Sequence, residues 1–142
     1  MKKVILSLTT VLYFFSFTNA QNDSSLVYKK STAMIPMRDG IKLFTVLLTP
    51  VHPKDAVPFL IERTPYGADI PIPDDSVINI PHQSSIATLA EEGYIFVFQD
   101  IRGKYKSEGT MQIHQPLIHE TQKGAIDEST DTYDAIDWLL KN

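Results

Sequence analysis

Alternating and continuous apolar runs along the chain predict four β-strands. Residues 27–37 and 41–49 are extended apolar-rich runs, and the Asp39-Gly40 pair between them indicates a tight hairpin. Residues 57–62 and 94–99 are short and nearly continuously apolar, which is typical of strands buried on both faces of a sheet. We therefore expect an antiparallel hairpin that leads into buried strands.

Two segments have the spacing of helices. The first, residues 84–92, is predicted to begin at a Ser84 or Ser85 cap and to end before Gly93. Its apolar face comprises Ile86, Leu89 and Ala90. The second, residues 131–141, carries Asp131 in its first turn, where a carboxylate suits the positive end of the helix dipole. Its predicted apolar face comprises Tyr133, Ile136, Leu139 and Leu140.

Long connections separate these elements. Residues 63–81 contain four prolines and are predicted to form a loop, and structureless loops of that length are usually functional. Residues 104–122 also have the composition of a loop, and the alternative at 111–113 is a short strand. Buried strands connected through helices predict an α/β fold with a mixed, mostly parallel sheet and flanking helices. Such a sheet needs a strand after its last helix, so we expect the chain to be truncated at Asn142.

The first twenty residues have the three-part pattern of a secretory signal peptide. Lys2 and Lys3 precede an apolar run at 4–17, and Ala20 provides a small residue for cleavage. The run is shorter than the roughly 20 residues of a transmembrane helix. We expect cleavage after Ala20, a secreted or periplasmic protein without a stable membrane anchor, and a polar leader at 21–30. An uncleaved N-terminal anchor is the alternative.

The composition of the chain excludes several kinds of functional site and partner. The 142 residues include no cysteine, which excludes disulfides, a thiolate nucleophile and cysteine-ligated metals. The formal net charge of −4, without basic runs, argues against a nucleic-acid partner. The histidines lack a metal-ligand spacing, although His114 and His119 are five residues apart, and the acidic residues at 127–137 lack the glycine of a calcium loop. We expect no metal and no cofactor.

Two loops that follow buried strands carry the candidate chemistry. Asp100 and Arg102 lie after the strand at 94–99, either shaping the floor of an active site or pairing with each other to hold a turn. Tyr66 follows the strand at 57–62, where its hydroxyl could donate to a developing oxyanion or its ring could fill the rim of the core. Ser107 is not in a nucleophile elbow, because Tyr105 stands where the first glycine of Gly-x-Ser-x-Gly would be.

Five motifs in register resemble one known family. They are MRDGIKL at 37–43, RTPYG at 63–67, LAxxGY at 89–94, QDIRGxYxSEG at 99–109 and DTYDAIDWL at 131–139. In this order they are similar to the N-terminal part of the Xaa-Pro dipeptidyl-peptidase-like serine hydrolases. That group includes cocaine-esterase-type enzymes, α-amino-acid ester hydrolases and cephalosporin acylases, and the resemblance covers residues 31–142.

The resemblance implies an α/β-hydrolase domain that is truncated before its nucleophile elbow. It implies that Tyr66 supplies half of the oxyanion hole and that a Ser-His-Asp triad lies beyond Asn142. The implied substrate is a small ester, amide or peptide. Because some members bind a substrate amine through acidic residues, Asp69 is the nearest candidate for that role. A complete non-catalytic secreted binding module and a nonfunctional remnant are the alternatives.

Overall fold

The computed structural model describes residues 26–53, 56–111, 124 and 126–142. The predicted signal peptide and the start of the leader lie outside these residues, as do His114, His119 and residues 112–113 of the conceivable strand. Of the predicted leader at 21–30, residues 27–30 belong to the first strand.

The described elements are five strands and two helices. They are β1 (Val27–Pro36), β2 (Lys42–Pro50), β3 (Phe59–Thr64), β4 (Val77–Asn79), α1 (Ala87–Glu91), β5 (Ile95–Asp100) and α2 (Glu128–Lys141). The hairpin prediction is confirmed, since β1 and β2 pair along nine residues each, from Tyr28 opposite Pro50 to Pro36 opposite Lys42. The strands expected at 57–62 and 94–99 are also present, displaced by one or two residues.

The strands form a single mixed sheet in the order β3-β5-β2-β1-β4. Only β3 and β5 pair in parallel; the other pairings among the described strands are antiparallel. The prediction of a mixed sheet is confirmed, whereas that of a mostly parallel one is wrong for this part of the chain. An apolar run indicates burial on both faces but not direction, and the hairpin enters the sheet antiparallel to β5.

The predicted loop at 63–81 contains the last two residues of β3 and one short strand of its own. Residues 77–79 form β4, which pairs antiparallel with the start of β1 at the edge of the sheet. Three residues are too few to produce a readable alternation of apolar and polar positions, so this strand left no signal in the sequence. The prediction that the whole segment lacks secondary structure is therefore wrong near both of its ends.

One helix and its core lie on each face of the sheet. The core on the α1 side centres on Leu26, Tyr28, Leu48, Ile80, Ala90 and Phe96. Ile86 and Leu89 pack against it, which confirms the predicted face of α1. The Tyr28 hydroxyl donates to the Tyr94 carbonyl at 2.9 Å, and burial raises the pKa of this phenol. The predicted serine cap is wrong, since the helix begins after Ile86 without a side-chain cap.

Helix α2 begins one turn earlier than predicted, because Asp127 caps it. The Asp127 carboxylate accepts the Thr130 N–H at 2.7 Å, and the Thr130 hydroxyl accepts the Asp127 N–H at 2.9 Å. On the α2 side, the core comprises Ile35, Met37, Leu43 and Ala135, flanked by Trp138 and Leu139. The predicted face was wrong at Tyr133 and Leu140, which are exposed.

Ion pairs hold the start of α2 to the hairpin turn. The Arg102 guanidinium binds Asp131 at 2.6 Å and Asp39 at 2.7 Å, and Arg38 binds Asp134 at 2.8 Å. These hydrogen bonds raise the pKa of Arg102 and lower the pKa of Asp39. Asp131 and Asp134, in the first two turns of α2, therefore have ion-pair partners within the fold.

We predict that Asp39→Asn lowers the free energy of unfolding by about 1 kcal/mol at neutral pH, because it removes the charge that Arg102 binds. The pKa of Asp39 is lower in the folded than in the unfolded protein. The contribution of the Asp39 charge to the free energy of unfolding is thus complete at a pH above the pKa of the unfolded protein. It is lost as the pH falls through the pKa of the folded protein. Urea unfolding should show the difference at pH 7 and its progressive loss as the pH falls below about 4.

The matched control is Asp137→Asn, which removes a carboxylate from an exposed pair with Lys141 on the same helix. It should change the stability little at any pH. A stability difference for Asp39→Asn that does not shrink as the pH is lowered below about 4 would contradict the assigned role of the Asp39 charge.

Candidate active site

The two candidate loops begin side by side. In the parallel register of β3 and β5, Thr64 lies opposite Asp100, the last residue of β5. The Ile101 N–H then donates to the Thr64 carbonyl at 3.1 Å. We call residues 65–69 the tyrosine loop and residues 101–109 the β5 loop. Both leave the carboxyl ends of adjacent parallel strands, where open α/β sheets form their ligand sites.

Asp100 connects the two loops through its carboxylate. The side chain is fully buried. One oxygen accepts the Ala68 N–H at 2.6 Å and the other accepts the Lys106 N–H at 3.2 Å. Its carbonyl accepts the Ser107 hydroxyl at 2.7 Å. The expectation that Asp100 could pair with Arg102 is wrong, because Asp100 binds backbone amides on the α1 side.

Arg102 lies apart from this junction. Its guanidinium turns toward the hairpin and α2, where Asp39 and Asp131 bind it. Arg63, at the end of β3, reaches the same helix and donates to the Glu128 carbonyl at 2.8 Å and to the Thr132 hydroxyl at 2.7 Å. Burial lowers the pKa of Arg63. The two arginines therefore fix α2 to the sheet, while Asp100 fixes the tyrosine loop.

Tyr66 extends away from the core. Its backbone N–H donates to the Thr64 hydroxyl at 3.1 Å, while the side chain is 83% exposed. The alternative in which its ring fills the rim of the core is therefore wrong. A phenol in this position is accessible to a ligand.

Tyr105 packs over the tyrosine loop. A methyl group built on Gly67, whose φ is +103°, would lie 3.3 Å from the Tyr105 ring. Tyr105 itself has a positive φ of 45° and is 68% exposed. A left-handed conformation is uncommon for a residue with a bulky side chain, and such outliers cluster at functional sites. Tyr66 and Tyr105 are thus exposed aromatic side chains on the two neighbouring loops that follow β3 and β5.

Asp69 is bound by two ammonium groups of the chain itself. Lys106 Nζ lies 2.6 Å from one carboxylate oxygen and Lys30 Nζ lies 3.3 Å from the other. The hydrogen bond from Lys106, followed by that from Lys30, lowers the pKa of Asp69. A substrate amine would have to share or displace Lys106. The amine-binding role of Asp69 stays a prediction.

Sequence reasoning missed Lys30, whose side chain is only 4% exposed. It donates to the carbonyls of Ile70 and Ile72 at 3.0 Å and 2.7 Å and so ties the residues after the tyrosine loop to β1. A lysine two residues after the buried Tyr28 in a strand shares its face of the sheet, and that position was the available signal.

Metal and triad chemistry have no support among the residues that the structure describes. These residues include no group of three potential metal ligands. His82 approaches only Glu91, at 3.4 Å, and no serine in this part of the chain pairs with a histidine. The Ser107 hydroxyl bridges the Asp100 carbonyl and the Phe44 N–H. No helix in the described ranges has the length and apolar character needed to cross a bilayer.

We predict that Gly67→Ala destabilises the protein more than Gly40→Ala. Both glycines have positive φ, so each substitution carries backbone strain of roughly 1 kcal/mol. A methyl group on Gly40 meets nothing within 4 Å, whereas one on Gly67 presses against the Tyr105 ring. Urea unfolding of both variants isolates the ring contact, and equal losses of stability would contradict it.

The sequence is similar to that of known proteins. Residues 39–142 match the family model of X-Pro dipeptidyl-peptidase (S15 family). The chain is 30% identical over 111 residues to cocaine esterase from Rhodococcus sp. (strain MB1 Bresler), covering 78% of this chain and 16% of that protein.

Two solved structures are similar. One is an aminopeptidase from the marine sediment archaeon Thaumarchaeota archaeon, with 36% identity and a TM-score of 0.65, covering 96% of this chain and 22% of that one. The other is an α-amino acid ester hydrolase, with 37% identity and a TM-score of 0.66, covering 94% and 22%. The chain thus spans less than a quarter of the length of these relatives, which are hydrolases. The chain belongs to the X-Pro dipeptidyl-peptidase (S15) family.

Proposed function

We propose that this chain is the N-terminal part of a serine hydrolase that cleaves ester or amide bonds. The observation that carries the proposal is the exposed Tyr66, held at the carboxyl ends of β3 and β5 in a chain of a hydrolase family. In the whole protein, Tyr66 donates its hydroxyl hydrogen to the oxyanion of the tetrahedral intermediate. The nucleophilic serine and its histidine and aspartate partners belong to sequence beyond Asn142.

The proposed reaction has two stages. The serine oxygen attacks the substrate carbonyl while the histidine takes its proton, and the histidine returns that proton to the departing alcohol or amine. Water then hydrolyses the acyl-enzyme by the same route. Negative charge develops on the carbonyl oxygen in both stages. A fixed phenol donor is most effective there because it strengthens as that charge forms.

Acyl or aminoacyl groups of small molecules are the substrate class we propose. The relatives carry the names of two ester hydrolases and an aminopeptidase, so both ester and amide substrates are within reach of the fold. Tyr66 and Tyr105 provide exposed aromatic side chains, and the Asp69–Lys106 pair on the same two loops provides exposed charges.

We predict that Tyr66→Phe, in the protein as its native gene encodes it, lowers kcat about 10²- to 10³-fold with little change in KM. The phenol hydrogen bond is expected in the transition state and not in the ground state. Hydrolysis of p-nitrophenyl acetate and of aminoacyl p-nitroanilides measures the loss. Labelling by a fluorophosphonate probe tests for the serine nucleophile.

The matched control is Tyr133→Phe, which removes another exposed phenol hydroxyl, from α2. It should leave kcat unchanged. A Tyr66→Phe enzyme as active as this control would refute the role of Tyr66. A native protein that neither labels nor hydrolyses any of these substrates would favour a non-catalytic binding module or a nonfunctional remnant.

We further propose that the protein is exported by a signal peptide and cleaved after Ala20. N-terminal sequencing of the protein recovered from the periplasm or medium should begin at Gln21. Substitution of Ala20 by leucine should block cleavage, because the site requires a small residue. Recovery of the native protein in the membrane fraction with Lys2 and Lys3 still present would indicate an anchor.

A further inference from the structure

Asp100 is a buried carboxylate that no cation balances in the part of the chain that the structure describes. It is fully buried, and its side-chain contacts there are the Ala68 and Lys106 backbone amides. Burying a charge is costly, and a buried ion is weak evidence of a contribution to stability. The cost therefore points to the two loops whose amides this carboxylate binds.

The hydrogen-bonding pattern requires a carboxylate in particular. Each oxygen of Asp100 faces an N–H donor, and an ionised carboxyl group offers acceptors on both sides. An asparagine would place its own NH2 group against one of those donors. The bond to Ala68, at 2.6 Å, is the shorter of the two, so the stronger restraint acts on the tyrosine loop.

That restraint holds the backbone of Tyr66 from its C-terminal side. Ala68 is two residues beyond Tyr66, and Thr64 holds the Tyr66 N–H from the other side at 3.1 Å. The Gly67 backbone between them lies under the Tyr105 ring. With its backbone fixed at both ends, a rigid phenol retains only two side-chain torsions, and these few degrees of freedom determine where its hydroxyl points.

We propose that Asp100 is the positioning residue for Tyr66: its carboxylate holds the tyrosine loop so that the phenol hydroxyl meets the oxyanion. This inference rests on the proposed function, because it assumes that Tyr66 is an oxyanion donor. It assigns Asp100 no contact with substrate. Asp100 acts through the Ala68 N–H and, by way of Lys106, keeps Tyr105 packed on the same loop.

A double-mutant cycle in the native enzyme tests the proposal. Asp100→Asn alone should lower kcat about 10- to 100-fold with little change in KM, since a misplaced group loses transition-state contacts first. In a Tyr66→Phe background the same substitution should cost less than about 3-fold, because the hydroxyl that Asp100 positions is already absent. Multiplicative losses would overturn the proposal.

The control cycle uses Asp131→Asn with Tyr66→Phe. Asp131 is also a buried aspartate in a hydrogen-bonded network, but its partners are Arg102 and Arg63. Whatever its cost, that cost should be the same with and without the Tyr66 hydroxyl. If Tyr66→Phe alone has no effect on kcat, the proposed function fails. If it has its expected effect but Asp100→Asn acts independently of it, only the positioning role fails.

A second variant covers the case in which Asp100→Asn does not fold. Replacing Ala68 by its α-hydroxy acid converts one peptide bond to an ester and deletes the N–H that Asp100 accepts. This change should reproduce the kcat loss and its dependence on the Tyr66 hydroxyl. An ester variant with unchanged kcat would overturn the proposal.

Discussion

The structure depends first on the parallel pairing of β3 with β5. This register places Thr64 opposite Asp100, so that the loops after both strands start at one point on the sheet. The Asp100 carboxylate continues the pairing beyond the strands by accepting one amide from each loop. Without that carboxylate, the buried Ala68 amide would lose its partner and the tyrosine loop its restraint at this residue.

The two faces of the sheet have different tasks. On the α2 side, the charged side chains of Arg63 and Arg102 bind the start of α2 and so connect it to the ends of the strands. On the α1 side, Asp100 and Lys30 bind mainly backbone groups, and thereby shape the chain around Tyr66 and Asp69. Alternation along β5 separates these roles, since Gln99 reaches Arg63 while Asp100 points to the other face.

The sequence predicted the elements whose signals are local. Asp39-Gly40 between two apolar runs predicted the hairpin, and continuous apolar runs predicted β3 and β5. Two features depended on contacts between distant residues and were missed or wrong. Strand β4 exists because β1 offers it a partner, and Asp100 binds Ala68, 32 positions away in the chain. The Asp127 cap, which extends α2 by a turn, is a local contact with Thr130 that the sequence analysis also missed.

Candidate residues were found where motifs carried them, but their contacts and exposure came from the fold. The exposure of Tyr66 excludes a ring that fills the rim of the core, and the oxyanion role of Tyr66 is our proposal. Asp69 proved to be bound to Lys106 and Lys30, which a motif could not show. Because Arg102 is only two residues from Asp100, the sequence suggested that these two side chains pair. In the fold, Asp100 instead binds the backbone amides of Ala68 and Lys106.

The central claim is that Tyr66 faces the oxyanion of a serine hydrolase. The most direct test is a crystal structure of the whole protein with its nucleophile labelled by a phosphonate, whose oxygen stands in for the oxyanion. We expect the Tyr66 hydroxyl oxygen to lie about 2.7–3.1 Å from that phosphonyl oxygen, with Asp100 still accepting the Ala68 N–H. A phosphonyl oxygen bound by other donors, with Tyr66 beyond hydrogen-bonding distance, would contradict it.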